Sequence, residues 1–266
     1  MSTTSTTHSS SACVPNAVQK PRAHMSAPSP TLTPASTSAP APVRLAVFDL
    51  DGTLINGQSG QLFAYYLYKR DLLSHRDVLR LMWWATRYLF HLPYTEQEAR
   101  AIIFGMLVGR PKQEVLELMR AFHDEMILPR YRARGLAEIK ARKQEGCYTL
   151  LVSATFKGIA DFAGAYLGVD HVIATDMACD EKGCYTKEVE GDVCAGEEKT
   201  KQACAWADAH FGPGAWVLAY AYGDHHSDKN LLATSEVPFA ISPGFVLKHI
   251  ARKYGWSIEN WKRSKR

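Results

Sequence analysis

The chain has 266 residues, of which 46% are hydrophobic and 22% charged, and its net charge is +4. These values predict a globular protein with one substantial domain and room for an insertion. The charge is too small and too evenly spread to indicate a nucleic-acid partner. No stretch reaches the roughly 20 apolar residues that a membrane-spanning helix needs.

Residues 1–43 are dominated by Ser, Thr, Pro and Ala and contain no acidic residue. Such a segment cannot bury enough apolar surface to offset its conformational entropy, so we expect it to be disordered. It lacks the apolar core of a secretory signal, and it is only faintly similar to an organelle transit peptide because it has few arginines. A translation start at Met25 is an alternative. We expect a cytoplasmic protein with a solvated basic tail at residues 262–266.

Apolar runs predict five strands, and helical patterns separate most of them. The runs lie at residues 45–48, 148–152, 172–174, 216–222 and 238–241. Strands that alternate with helices predict an α/β fold with a mainly parallel sheet flanked by helices.

The long stretch between the first and second predicted strands contains helix signals but no convincing strand. A capping box lies at 95–98, Pro111 suits a first helical position before 112–126, and Gly146 suits a helix stop. We therefore predict that residues 57–145 form a helical cap inserted after the first strand. The core would then consist of residues 44–56 and 146–261.

Two helices in the second half of the chain have recognisable starts. Ser242 and Pro243 predict a helix that runs to Gly255. Another begins after Gly196 and places Lys199 in its first turn, where a cation opposes the helix dipole. That position suggests that Lys199 meets an anion, although a solvated lysine is the other interpretation.

Two carboxylates, Asp49 and Asp51, follow the first strand, and Gly52 comes directly after them. Residues two apart on a strand share a face, so the two side chains can point toward a common spot. Anions that close repel each other unless a cation, a shared proton or a substrate compensates. A solvated turn is the alternative. An EF-hand calcium loop has its glycine at the sixth position. Counted from Asp49, Gly52 stands at the fourth position, so this motif is not an EF-hand loop.

Polar side chains also follow two later strands. The second strand runs into Ser153, Ala154 and Thr155, where a hydroxyl and backbone N–H groups can either hold a phosphate oxygen or cap a helix. Another strand ends just before Asp224, with Asp228 in the first turn of the next helix. Open α/β sheets build their sites at the carboxyl ends of strands, so these groups are candidates for one site.

These four motifs, in this order, resemble those of the haloacid dehalogenase (HAD) superfamily. They read Asp-Leu-Asp-Gly-Thr-Leu at 49–54, Ser-Ala-Thr at 153–155, Gly-Glu-Glu-Lys at 196–199 and Gly-Asp-x-x-x-Asp at 223–228. The resemblance covers residues 44–261. It is closest to the phosphoserine-phosphatase-like subfamily IB, which has a helical cap after the first strand. It implies a Rossmann-like core and a phosphatase that forms an aspartyl-phosphate.

The resemblance also implies a role for each matching residue. Asp49 would be the nucleophile, and Asp51 would protonate the leaving oxygen and then activate water. Ser153 and the Ala154 N–H would hold the transferring phosphoryl group, and Lys199 would neutralise its charge.

A Mg²⁺ cofactor is implied as well, held by Asp49, the Asp51 carbonyl and Asp224, with Asp228 bracing the site from behind. Subfamily members usually have Ser after the metal aspartate, whereas this chain has His225. A tolerated change in a polar loop and a contact with substrate or a metal-bound water are both open interpretations.

The substrate depends on the cap, whose aromatic and basic residues allow two interpretations. The aromatic side chains either pack the cap's own core or form a surface for an amphiphilic phosphate at a membrane, since subfamily relatives include phosphatidylglycerophosphate phosphatases. The residues in question are Tyr65, Tyr66, Tyr68, Arg70, Arg76, Arg80, Trp83, Trp84 and Arg87.

We therefore expect a partner that is a small-molecule or lipid-like phosphate monoester. A phosphotransferase that passes the phosphoryl group to an alcohol is an alternative function. A non-catalytic binding module is disfavoured because Asp49, Asp51, Lys199 and Asp224 are all present.

The six cysteines include no Cys-x-x-Cys pair, so the sequence does not predict a zinc ribbon. Cys179 and Cys184 flank a predicted turn and could come close. We nevertheless expect reduced thiols, as in most cytosolic proteins.

Overall fold

The structure, a computed structural model, describes residues 41–89 and 104–261. The predictions made for residues 1–40, for the capping box at 95–98 and for the basic tail at 262–266 lie outside the described residues. Within them, the strands are β1 (Val43–Phe48), β2 (Tyr148–Phe156), β3 (His171–Cys179), β4 (Tyr185–Glu190), β5 (Trp216–Gly223), β6 (Val237–Ile241) and β7 (Ser257–Glu259).

The strands form one sheet in the order β4-β3-β2-β1-β5-β6-β7. Every neighbouring pair is parallel except β3 and β4, which are antiparallel. The predicted mainly parallel sheet is thus confirmed, and each predicted run lies inside an observed strand. The two unpredicted strands lie at the edges: β4 is largely exposed and polar, and β7 has only three residues.

Helices cover the sheet on both faces, which explains why the central strand is a continuous apolar run. Leu45 and Val47 of β1 belong to one core, and Ala46 and Phe48 belong to the other. The helices are α1 (Ser59–Lys69), α2 (His75–Leu89), α3 (Lys112–Phe122), α4 (Ala133–Gln144), α5 (Lys157–Leu167), α6 (Glu197–Phe211), α7 (Lys229–Thr234) and α8 (Phe245–Tyr254).

The described residues between β1 and β2 are mainly helical, with turns between the helices. The prediction that residues 57–145 form an inserted cap stays a prediction. The aromatic residues of this segment differ in exposure. Tyr66 is buried and packs edge-on against Phe122, with ring centroids 5.3 Å apart. Tyr65, Tyr68 and Trp83 are exposed.

Backbone hydrogen bonds join the turn before α3 to the edge strand β4. Gly109 N–H donates to the Tyr185 carbonyl over 2.8 Å, and Tyr185 N–H donates to the Arg110 carbonyl over 3.1 Å. Pro111 is the N-cap of α3 and not its first residue. The helix predicted at 112–126 ends at Phe122 and continues as a π-helical turn.

The predicted start of the last helix is wrong. Gly244 is the N-cap of α8, which begins two residues after Pro243. Ser242 has a φ of 44° and uses its hydroxyl elsewhere, because its Oγ accepts a hydrogen bond from Trp261 N–H over 3.1 Å. The Ser242 hydroxyl, which could have capped α8, therefore binds the backbone of Trp261 at the end of the described residues.

No helix within residues 41–89 and 104–261 is both long and apolar enough to cross a bilayer.

Cys147, Cys179, Cys184 and Cys194 are free thiols and differ strongly in exposure. Cys194 is fully buried, and burial raises the pKa of its thiol to about 12.

We expect a maleimide at neutral pH to modify the exposed Cys179 quickly, and the buried Cys147 and Cys194 only after unfolding. Peptide mapping by mass spectrometry measures this order. Protection of Cys179 in the native protein that reductant reverses would instead indicate a disulfide.

Candidate active site

Three carboxylates meet at the carboxyl edge of the two central strands. Asp49 N–H donates to the Tyr222 carbonyl over 3.0 Å, which extends the pairing of β1 with β5 by one residue. That pairing brings Asp49 to Asp224, which directly follows β5, and Asp228 follows on a short 3₁₀ turn. One oxygen from each of these three aspartates lies within 4.8 Å of the others.

Lys199 lies inside this cluster. Its Nζ donates to Asp49 Oδ1 and to Asp228 Oδ1, each over 2.7 Å, and the lysine side chain is buried. The structure thus brings Lys199 to anions, as its place in the first turn of α6 suggested. Burial lowers the pKa of Lys199, but the Asp228 and Asp49 carboxylates outweigh burial and raise it overall. The lysine is therefore a fixed positive charge.

The negative charge of the cluster exceeds what one lysine balances. Burial raises the pKa of Asp49 and the nearby Asp228 and Asp224 raise it further, although Lys199 opposes them. The pKa of Asp224 rises to about 7 because of burial and the adjacent Asp228. Each of these shifts reflects anions held together away from water.

Asp51 lies in a different environment from Asp49. Its Oδ1 accepts from Ser59 N–H over 2.7 Å, and its Oδ2 accepts from Ser59 Oγ over 2.7 Å and from Thr155 Oγ1 over 2.9 Å. β1 ends at Phe48, so the expectation that both aspartates share a strand face does not hold. Burial raises the pKa of Asp51 overall, although the hydrogen bonds from Ser59 and Thr155 oppose this rise.

Sequence patterns did not mark Ser59, and they did not connect Thr155 with Asp51. Ser59 is the first residue of α1, a position where a serine is ordinarily explained as part of a helix start. Thr155 was quoted with Ser153, and the structure joins them, since Ser153 Oγ donates to Thr155 Oγ1 over 3.1 Å. Both residues are buried and lie within β2, which continues to Phe156 and did not end at the predicted turn.

The turn after Asp51 packs directly against Asp224. Gly52 has a φ of 72°, and a Cβ on it would lie 1.9 Å from Asp224 Oδ2. Only glycine fits there, because any side chain would strain the backbone and collide with the carboxylate.

Asp228 is held on both of its oxygens. Lys199 donates to Oδ1, and His225 N–H donates to Oδ2 over 3.2 Å. His225 also acts as the N-cap of the 3₁₀ turn, because its Nδ1 accepts from Ser227 N–H. Serine is a common N-cap, so histidine takes over a local structural task of the usual residue. Its contact with substrate stays a prediction.

The donor set suits a hard divalent cation. All of its side-chain ligands are carboxylate oxygens, which Mg²⁺ prefers, and they carry more negative charge than Lys199 neutralises. Hydrogen bonding alone does not separate Asp49 from Asp228 as a direct ligand, because both aspartates accept on both oxygens. Asp49 accepts from Lys199 and, over 3.4 Å, from Thr53 Oγ1, and Asp228 accepts from Lys199 and from the His225 N–H.

Two named phosphatases are similar to this chain in sequence. The chain is 27% identical over 224 residues to a histidinol-phosphatase of Neisseria meningitidis, covering 82% of this chain and 99% of the relative. It is 26% identical over 223 residues to a phosphoserine phosphatase of Mycobacterium tuberculosis, covering 82% and 70%.

Solved structures agree on the fold. A protein of unknown function from Bordetella pertussis Tohama I superposes with a TM-score of 0.75 at 26% identity, covering 84% of this chain and all of that one. A phosphoserine phosphatase with an analogue of its phospho-aspartyl intermediate superposes with a TM-score of 0.56 at 19% identity, covering 84% and 95%.

The sequence profile described as haloacid dehalogenase-like hydrolase matches residues 46–233. This range contains Asp49, Asp51, Ser153, Lys199 and Asp224, the residues on which the resemblance was based. The chain therefore belongs to the haloacid dehalogenase-like hydrolase family.

Proposed function

We propose that this protein is a Mg²⁺-dependent phosphatase that hydrolyses a phosphate monoester through an aspartyl-phosphate on Asp49. The family and the named relatives support a phosphoric monoester hydrolase. The mechanism rests on one observation, which is that Asp49 and Asp51 have different hydrogen-bond partners. Asp49 accepts from Lys199, whereas Asp51 accepts from Ser59 and Thr155.

This separation gives the two carboxyl groups different tasks. A carboxylate oxygen of Asp49 attacks phosphorus, and the bond from phosphorus to the leaving oxygen breaks. Asp51 gives its proton to that oxygen, which departs as an alcohol. Asp51 then takes a proton from a water that attacks phosphorus. The bond to Asp49 breaks, inorganic phosphate leaves and both carboxyl groups return to their starting states.

The transferring phosphoryl group needs positive charge and hydrogen-bond donors around it. We assign these tasks to Lys199, the Ser153 hydroxyl and the Ala154 N–H. Asp49, the Asp51 carbonyl and Asp224 would hold Mg²⁺. When bound, this ion supplies the additional positive charge that lets a phosphate dianion approach two carboxylates.

The proposed substrates are small-molecule phosphate monoesters, of the class to which the names of both relatives point. Transfer to an alcohol remains the alternative outcome of the same intermediate. A phosphate-release screen over amino-acid, amino-alcohol, sugar, nucleotide and lipid phosphates tests the choice, and added acceptor alcohols reveal any transfer product.

Replacing Asp49 with Asn should lower turnover by at least about a thousandfold, because an amide cannot form the covalent intermediate. The measurement is phosphate release with excess Mg²⁺. Asp208→Asn is the matched control, because Asp208 is exposed and its carboxylate accepts from Trp216 Nε1, away from the acidic cluster. Wild-type turnover by Asp49→Asn would contradict the mechanism.

Replacing Lys199 with Met should destabilise the metal-free protein by about 3–5 kcal/mol, since two buried carboxylates lose their shared cation. Urea unfolding in a chelator measures the change in the free energy of unfolding. Lys201→Met is the control, because Lys201 lies on the same helix and its ion pairs with Glu197 and Glu198 lie at the surface, where such pairs contribute little to stability. Equal stability of the two variants would refute the charge-balancing role.

We also propose that α2 contacts an anionic lipid surface. Leu79, Met82 and Trp83 are 65%, 61% and 61% exposed and lie three and four residues apart, so they form one apolar stripe on the helix. Arg76 and Arg80 lie on the same helix and are exposed. Apolar side chains beside cations are complementary to anionic headgroups and their acyl boundary.

Vesicles of phosphatidylglycerol and phosphatidylcholine should co-sediment the protein, and vesicles of phosphatidylcholine alone should do so less. Glu substitution of both Leu79 and Trp83 should abolish binding, because it removes the apolar contact and adds negative charge. Phe245→Glu is the control, since Phe245 is 88% exposed on α8. Failure to co-sediment, or equal binding by the double variant, would exclude this surface.

A further inference from the structure

Arg132, which lies just before α4, is a buried cation outside the four motifs. It is 7% exposed. Four hydrogen bonds leave its side chain, and all of them go to neutral oxygens. Nη2 donates to the Gly52 carbonyl over 3.0 Å, Nε to the Ile55 carbonyl over 3.5 Å, and Nη1 to Ser242 Oγ over 3.3 Å and to the Trp261 carbonyl.

These acceptors come from two separate parts of the chain. Gly52 and Ile55 lie in the turn that follows Asp51, and Arg132 N–H adds a hydrogen bond to the Leu54 carbonyl in that turn over 2.9 Å. Ser242 and Trp261 belong to the loop after β6 and to the end of the described chain. Arg132 thus ties the turn that follows Asp51 to the C-terminal side of the core.

The same turn touches the acidic cluster. Gly52 leaves no room for a Cβ against Asp224 Oδ2, so a shift of the turn changes the space around that carboxylate. Asp224 also interacts electrostatically with the Arg132 guanidinium. The arginine therefore acts on the metal-binding edge through the position of the turn and through charge.

We propose that Arg132 is a positioning residue that holds the turn after Asp51 against Asp224 and thereby sets the affinity of the site for Mg²⁺. This inference rests on the proposed function. It is specific for arginine, because a planar guanidinium presents several donors in fixed directions, whereas an ammonium group is a point charge on a flexible stem.

The decisive variant is Arg132→Lys, because it keeps the positive charge near Asp224 and removes only the fork of donors. The matched control is Arg142→Lys, on α4. Arg142 is also largely buried and pairs with Glu138 and Glu145, over 2.9 and 2.8 Å. Both substitutions replace a guanidinium group that makes several hydrogen bonds in fixed directions. Only Arg132→Lys removes hydrogen bonds to the turn after Asp51.

Isothermal titration calorimetry with Mg²⁺ alone measures the affinity independently of turnover. We expect Arg132→Lys to raise the Kd for Mg²⁺ about tenfold or more, as loss of a group that orients metal ligands commonly does. Arg142→Lys should leave the Kd unchanged even where it lowers stability in urea. In phosphate-release assays, excess Mg²⁺ should restore much of the kcat of Arg132→Lys.

A second variant keeps the test decisive if Arg132→Lys does not fold. Ser242→Ala removes one of the four acceptors and leaves the arginine, so it should weaken Mg²⁺ binding in the same direction but less. An unchanged Kd in every folded variant would overturn the positioning role, whatever the change in stability. Absence of phosphate release by the wild-type protein would instead overturn the proposed function.

Discussion

The contact of Lys199 with Asp49 and Asp228 is the interaction on which the site depends. All three groups are buried, and the lysine lies 2.7 Å from an oxygen of each aspartate. Without the cation, two carboxylates would face each other in a poorly solvated space, an arrangement that costs several kcal/mol. With it, Asp49, the proposed nucleophile, is kept near a positive charge that would also attract a phosphate. Lys199 also lowers the pKa of Asp224, but burial and Asp228 outweigh it, and a divalent cation would balance the negative charge that is left over.

The sheet order explains why these groups meet. β1 lies at the centre with β2 and β5 on either side, so their carboxyl ends place the aspartates of β1 and β5 beside the hydroxyls of β2. Asp49 continues the β1–β5 pairing, whereas Asp51 turns away to Ser59 and Thr155. Two neighbouring carboxyl groups thereby gain different surroundings, which is the physical condition for a nucleophile and an acid to coexist two residues apart.

Much of this arrangement was predictable because the determinants are local. Five apolar runs became strands, and the motifs at their ends came together because parallel strands share an edge. Other features depend on contacts between distant residues. The hydroxyl of Ser242 binds Trp261 and does not cap α8, and Arg132 reaches carbonyl groups that sequence patterns do not mark. The edge strand β4 was also missed, because only its first residue, Tyr185, is buried in the core and the mostly polar residues that follow form no apolar run.

The central claim is that Asp49 carries the phosphoryl group during turnover. Rapid acid quench of the enzyme with a phosphate monoester and Mg²⁺, followed by proteolysis and tandem mass spectrometry, tests it directly. We predict an acid-stable, base-labile phosphoryl group on Asp49 that disappears as substrate is exhausted. Substrate turnover with no phosphorylation of Asp49 at any quench time, or with the phosphoryl group on another residue, would contradict the account.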